Sequence, residues 1–115
     1  MSKELVAQIL AQRESRLELQ PGKSVVVRRP SEYEMVTPKS GTSLDFILRY
    51  VVGWDGYTEA DLLGEAVGSD QPVAWDPAVF AAYLTDRIAD IRAIDTHLGG
   101  LITAYAKQRE SVGKN

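Results

Sequence analysis

The chain has 115 residues, of which 44% are hydrophobic and 25% charged, so it is long enough for one folded domain with its own core. A net charge of -3 argues against a surface that follows nucleic-acid phosphates, since such binding depends on an excess of Lys and Arg. The chain contains no cysteine, which excludes disulfides, thiolate nucleophiles and sulfur metal ligands. We therefore expect a single domain over residues 1–115 and no nucleic-acid partner.

The N-terminal residues mix apolar and polar side chains and lack the continuous apolar block of a signal peptide. No apolar run approaches the roughly 20 residues that cross a membrane. We expect a cytoplasmic protein without a membrane partner.

The first predicted element is a helix over residues 1–19. Ser2 can cap it, and apolar residues then recur near helical spacing at Leu5, Val6, Ile9, Leu10 and Leu17. The helix should end before Pro21 and Gly22, which together break helices.

A short strand is predicted next, from the β-branched run at residues 25–27 that Pro30 terminates. This strand needs a partner. Either it pairs with residues 33–36, giving a hairpin over about 24–36, or it pairs with another chain.

The middle of the chain is predicted to be a loop at residues 37–41, followed by a helix that Ser43 caps. Residues 46–52 fit a strand as well as a helix. Farther on, Thr58 and Asp61 form the pattern of a capping box at the start of a short apolar helix.

The C-terminal part is predicted to be helical. Asp76 can cap a helix that has Pro77 at its first position, where the missing amide proton is harmless. A stripe of apolar residues at helical spacing follows, at Ile88, Ile91, Ile94, Leu98, Leu101, Ile102 and Tyr105. Whether these two helices are continuous is open. Together these elements predict a mainly α fold, a small helical domain with one short N-terminal strand or hairpin.

The chain offers few groups for catalysis. His97 is the only histidine, so it would have to be the base of any Ser-His-Asp arrangement, and we interpret it as an ordinary helical side chain. Asp86, Asp90 and Asp95 alternate with arginines, which is typical of a solvated helix face with paired charges. We therefore predict no enzyme activity, no metal site and no cofactor.

Aromatic residues beside polar turns are the leading candidates for a binding site. Trp54, Tyr57 and Trp75 fit either core anchors or interface contacts, and core packing is the more common role for a tryptophan taken singly. The doublet Arg28 and Arg29 fits an acidic partner or the solvated end of an edge strand.

These segments carry a resemblance to a known family. The most telling piece is the Trp-x-Gly-x-Thr-Glu-x-Asp-Leu stretch at residues 54–62, followed about a dozen residues later by Trp75 and Asp76 at a helix start. With the strand at residues 25–30 and the helix at residues 80–86, it resembles the small tail assembly chaperones of long-tailed bacteriophages. The likeness covers a region of about residues 23–110 and leaves the first helix outside.

The resemblance implies a protein that binds the long, helix-prone tape measure protein and keeps it soluble until the tail tube polymerises around it. The tail tube protein and a second copy of the chain are further candidate partners. The work would take place in the cytoplasm of an infected bacterium, and the protein would be absent from the finished virion. The residues expected to contact the client are aromatic, basic or on the C-terminal stripe: Trp54, Tyr57, Trp75, Phe80, Arg28, Arg29, Leu98 and Leu101. The alternative is a tail completion or connector subunit that is retained in the virion.

Overall fold

The computed structural model describes residues 2–37, 41 and 43–113. The elements in chain order are α1 (Ser2–Ala11), β1 (Glu14–Gln20), β2 (Lys23–Arg28), α2 (Glu32–Val36), α3 (Ser43–Tyr50), β3 (Val51–Asp55), α4 (Glu59–Leu63), α5 (Pro77–Leu84) and α6 (Ile88–Gly113). Helices account for 56% and strands for 19%, and the strands form one three-stranded antiparallel sheet. The prediction of a mainly α fold is therefore wrong, because helices and a sheet build the domain together.

The predicted N-terminal helix over residues 1–19 is also wrong in its second half. The helix ends at Ala11, and β1 pairs with β2 in a hairpin whose turn is Pro21 and Gly22. Leu17 and Leu19 alternate with polar neighbours, which is the period of a strand with one buried face. Leu17 also fits the helical spacing that begins at Leu5, so the periodicity of this segment was ambiguous.

The valine-rich strand β2 lies at the centre of the sheet, between β1 and β3. Val25 and Val27 are fully buried, and Val25 lies opposite Leu17 on one side and Trp54 on the other. The strand therefore pairs within the chain. The predicted hairpin over residues 24–36 is wrong, because residues 32–36 form α2, which Ser31 and Glu34 begin with a capping box.

The core lies where α3, α5 and α6 cover one face of the sheet. Its buried apolar side chains are Val25, Val27, Ile47, Tyr50, Val51, Tyr57, Phe80, Leu84, Ile94 and Leu98. The ambiguous segment at residues 46–52 contains both predicted structures, because α3 ends at Tyr50 and β3 begins at Val51.

Several predicted helix boundaries are confirmed. Asp76 accepts hydrogen bonds from the amides of Ala78 and Val79, with Pro77 at the first helical position. The helices α5 and α6 are separate, joined by a turn at residues 85–87. The predicted loop at residues 37–41 includes residues 38–40, which lie outside the described part of the chain.

The first helix, α1, buries none of its side chains. Its apolar residues Leu5, Val6 and Ile9 are all largely exposed. Over the described ranges, no helix combines the length and the apolar character needed to cross a membrane.

Candidate protein-binding groove

The segments that follow β3 fold back on one another through a few backbone contacts. The indole Nε1 of Trp54 donates a hydrogen bond to the carbonyl of Val73 at 2.9 Å, and the amide of Val73 donates to the carbonyl of Tyr57 at 2.9 Å. Thr58 and Pro72 form an isolated antiparallel bridge. These contacts hold the long connector between α4 and α5 against the end of the sheet.

The helix α4 starts at this point because two side chains in its first turn accept hydrogen bonds from backbone amides of the same turn. The hydroxyl of Thr58 accepts from the amide of Asp61, and the Asp61 carboxylate accepts from the amide of Thr58 at 2.8 Å. The capping box predicted from the sequence is confirmed. The helix that it begins carries the apolar side chains of Leu62 and Leu63 in its last turn.

An aromatic cluster lies behind this unit. Trp54 stacks on Tyr57 with ring centroids 4.6 Å apart, and its edge contacts Trp75 at 5.5 Å and Phe80 at 6.0 Å. Tyr57 in turn contacts Tyr83 edge to face at 5.9 Å. Such packed rings form a rigid support, since each pair is stabilising by about 0.5–1.5 kcal/mol beyond its burial.

An open groove of about 660 Å³ lies on the outer side of this support, between α4, the connector and α5. Its apolar lining consists of Leu62, Leu63, Val73, Val79, Ala82 and Tyr83. Leu63 is 61% exposed and Val79 is 36% exposed. An open groove lined mainly by apolar side chains is a candidate contact site for another molecule.

Acidic side chains border the groove. Three acidic residues line it, Glu59, Asp61 and Asp86, whereas Arg87 is the one basic residue among the described residues of its lining. The Arg87 guanidinium pairs with the buried carboxylate of Asp90 at 3.2 Å. Asp90 therefore does not lie on a solvated face as predicted, although its predicted pairing with an arginine is confirmed.

The carboxyl group of Asp61 has a pKa below its ordinary value. Burial on its own would raise this pKa, but hydrogen bonds from Thr58 and the ammonium group of Lys23, 3.2 Å away, outweigh burial and lower it. The charged form is therefore favoured in the folded protein.

This lowered pKa predicts a loss of stability in acid. A group with a depressed folded-state pKa stabilises the fold above its unfolded value, here 3.8, and the contribution disappears as the pH falls through the folded value. We expect Asp61→Asn to lower the free energy of unfolding by about 1 kcal/mol at pH 7, and the difference from the parent to shrink below pH 3.8. Urea denaturation at several pH values measures this. Asp95→Asn, on an exposed part of α6, is the control, and a pH-independent difference for Asp61→Asn would contradict the assignment.

The aromatic residues predicted to bind a client do come together, but mostly in the core. Tyr57 is 2% exposed and Phe80 is 1% exposed, so neither offers a free surface. Trp54 and Trp75 are half-buried in the cluster behind the groove. The predicted aromatic residues therefore lie behind a groove whose exposed apolar side chains, such as Leu63 and Val79, are their neighbours.

The C-terminal stripe lies elsewhere. Leu98 is fully buried and Leu101 is half-buried against the core, so the stripe covers the domain's own sheet and α3. The expectation that this stripe is an open contact surface is wrong, because the unpredicted strand β1 supplies part of the surface that it covers.

The two predicted arginines have partners within the chain. Arg28 pairs with Glu14 at 2.8 Å, directly across the hairpin. The Arg29 guanidinium lies 3.7 Å from the ring centre of Tyr105 and donates to the carbonyl of Pro30. The first contact joins β1 to β2, and the second joins the end of β2 to α6.

Ser15 and His97 are far apart in the sequence but lie in contact in the structure. Ser15 Oγ and His97 Nε2 are 2.8 Å apart, linking β1 to α6. Ser15 is the second residue of β1 and lies opposite Val27, where its backbone belongs to the sheet and not to a turn that could present an oxyanion hole. We interpret the contact as an anchor for α6.

No three acidic or histidine side chains cluster as metal ligands among the residues that the structure describes. Comparisons of the chain with protein-family models, with curated proteins and with solved structures give no match. The groove and the sequence resemblance at residues 54–62 are therefore the observations on which a functional proposal depends.

The groove residues that sequence reasoning passed over are short apolar pairs on two short helices. Leu62 and Leu63 follow a capping box, and Val79 and Tyr83 are four residues apart on α5. Each pair alone is typical of ordinary packing. The two pairs meet because the connector between α4 and α5 folds back. The sequence shows how long this connector is, but it does not show the path that it takes.

Proposed function

We propose that the chain is a phage tail assembly chaperone that binds the tape measure protein and keeps it soluble before the tail tube polymerises, without catalysing a reaction. One observation supports this proposal above the others. Three of the segments that carry the resemblance, residues 46–62, 72–76 and 80–86, each contribute residues to the lining of one open apolar groove.

The client's chemistry fits such a groove. A long amphipathic helix exposes more apolar surface than a soluble protein tolerates, and a small partner can cover that surface by taking the helix into a groove. The apolar residues of the groove contribute the contact, while the aromatic cluster keeps its walls in place. Many copies along the client would then cover it in sections.

The groove also suits a partner that is later displaced. Its exposed apolar side chains are few, Leu63 and Val79 foremost, so each copy buries a small area when it binds. Small interfaces give weak, transient association. A tube subunit with a larger contact surface would therefore remove the chaperone without added energy.

Co-expression with the tape measure protein tests the proposal. We expect the parent chain to keep the tape measure protein in the soluble fraction, because the groove covers its apolar face. Leu63→Asp places a charge among the apolar side chains that line the groove and should reduce the soluble fraction to the level seen without the chain.

The matched control is Val36→Asp, at a residue that is 80% exposed on α2 and does not line the groove. This variant should solubilise the client like the parent. The proposal is wrong if the parent gives no soluble client. If instead both variants work equally, the groove is not the contact site.

Mass spectrometry of purified virions separates the chaperone from the alternative, a completion or connector subunit. A chaperone leaves the particle as the tube forms, so its peptides should be missing. A stoichiometric amount in the virion would favour the structural subunit.

A further inference from the structure

We infer that the groove selects an amphipathic helix with basic residues on both sides of its apolar stripe. This inference rests on the proposed function and adds the charge class of the client segment. The observation that carries it is the excess of acidic side chains around the groove, three against one basic residue.

The one basic side chain does not offset this excess, because it is already paired. The Arg87 guanidinium lies 3.2 Å from the Asp90 carboxylate and over the ring of Tyr83. Similarly, the charge of Asp61 is offset by Lys23. The uncompensated negative charges at the groove are those of Glu59 and Asp86.

These two carboxylates come from different elements of the groove. Glu59 begins α4, Asp86 follows the end of α5, and both line the groove together with its apolar side chains. Both residues are exposed. Glu59 accepts a hydrogen bond from the hydroxyl of Ser69 at 2.8 Å, which orients the carboxylate and leaves its charge in place. Among the described residues, Asp86 has no ion pair.

The carbonyl groups at the end of α5 are already bonded to donors of the chain itself. Those of Ala82, Tyr83 and Leu84 accept from the Thr85 hydroxyl, the Asp86 amide and the Arg87 amide. A lysine or arginine on the client would therefore meet the carboxylate of Asp86 at this end of the groove.

The chemistry of the preferred ligand follows from this arrangement. Apolar residues at spacing i, i+3 or i+4, and i+7 would enter the groove, and Lys or Arg on each flank would face Glu59 and Asp86. A helix with the same apolar stripe and acidic flanks would place like charges together at both carboxylates.

Two synthetic helical peptides test this selectivity. Both carry the same leucine stripe, and one has lysine flanks while the other has glutamate flanks. We expect the parent chain to bind the lysine peptide about tenfold more tightly in calorimetry at low salt, with the preference shrinking as salt is added.

Charge reversal at the two carboxylates provides the decisive variant. Glu59→Lys with Asp86→Lys should invert the preference, so that the glutamate peptide binds more tightly. The control is Glu4→Lys with Asp95→Lys, two exposed acidic positions away from the groove that give the same change in net charge. The control should keep the parent's preference.

Three results would overturn the inference. The first is equal binding of the two peptides, and the second is inversion by the control pair, which would indicate net charge alone. The third is a dimer of the free chain that Leu63→Asp dissociates, which would assign the groove to a second copy. If the parent still solubilises the tape measure protein in any of these cases, the proposed function stands and only the charge class fails.

Discussion

Gly56→Ala is expected to lower the free energy of unfolding by about 3 kcal/mol or more. Gly56 has φ of +86°, a backbone conformation that side chains disfavour. A Cβ atom built there would lie 1.9 Å from the carbonyl oxygen of Gly22 and 3.0 Å from its carbonyl carbon. Because the obstacle is backbone, the turn after β3 and the hairpin turn would have to move apart. Chemical denaturation monitored by circular dichroism measures the loss.

Gly22→Ala and Gly64→Ala are matched controls for this effect. Both glycines have positive φ, +79° and +93°, but no atom lies within 4 Å of an added Cβ. We expect each to cost about 1 kcal/mol, which is the backbone penalty alone. A loss for Gly56→Ala no larger than these would show that the close approach of the two turns is absent.

Phe80→Ala is expected to cost about 3–5 kcal/mol. Phe80 is 1% exposed and contacts Trp54 and Trp75 within the aromatic cluster. Removing its ring leaves a cavity that neighbouring rings, fixed by their own contacts, fill poorly. The thermal midpoint and the urea midpoint should both fall sharply.

The adjacent residue provides the control for Phe80. Val79 is 36% exposed and lines the groove, so Val79→Ala should change stability by less than about 0.5 kcal/mol while weakening client binding. If Phe80→Ala leaves the stability unchanged, the ring does not anchor α5, and the support assigned to the groove is wrong.

The sequence predicted correctly the helix starts that depend only on residues close together in the chain. The Thr58 and Asp61 capping box and the Asp76 cap with Pro77 are satisfied by residues within one turn of the helix start. Such caps form wherever the segment lies in the fold. The β-branched run at residues 25–27 likewise predicted that β2 is a strand, but not which strands it pairs with.

The parts that were predicted wrongly depend on distant partners. Leu17 satisfies both a helical and a strand period, and only its pairing with Val25 decides between them. Once β1 is a strand, the stripe on α6 has a sheet to cover. Leu98 is then a buried core residue and cannot contact a client.

The candidate site shows the same division between local and distant signals. The turn and aromatic residues at 54–62 lie next to the candidate groove. However, the exposed residues of the groove come from two helices, and the connector between these helices is held to β3 by the hydrogen bond from Trp54 to Val73, a contact across 19 positions. No spacing rule predicts such a contact.

The aromatic cluster behind the groove has a practical consequence. The chain's two tryptophans both lie in it, with ring centroids 5.5 Å apart and nearly perpendicular. All the tryptophan fluorescence of this protein therefore originates within one small region, adjoining the surface assigned to the client. The molecule contains its own optical reporter of occupancy, with no label to attach and no tryptophan elsewhere in the chain to obscure the signal.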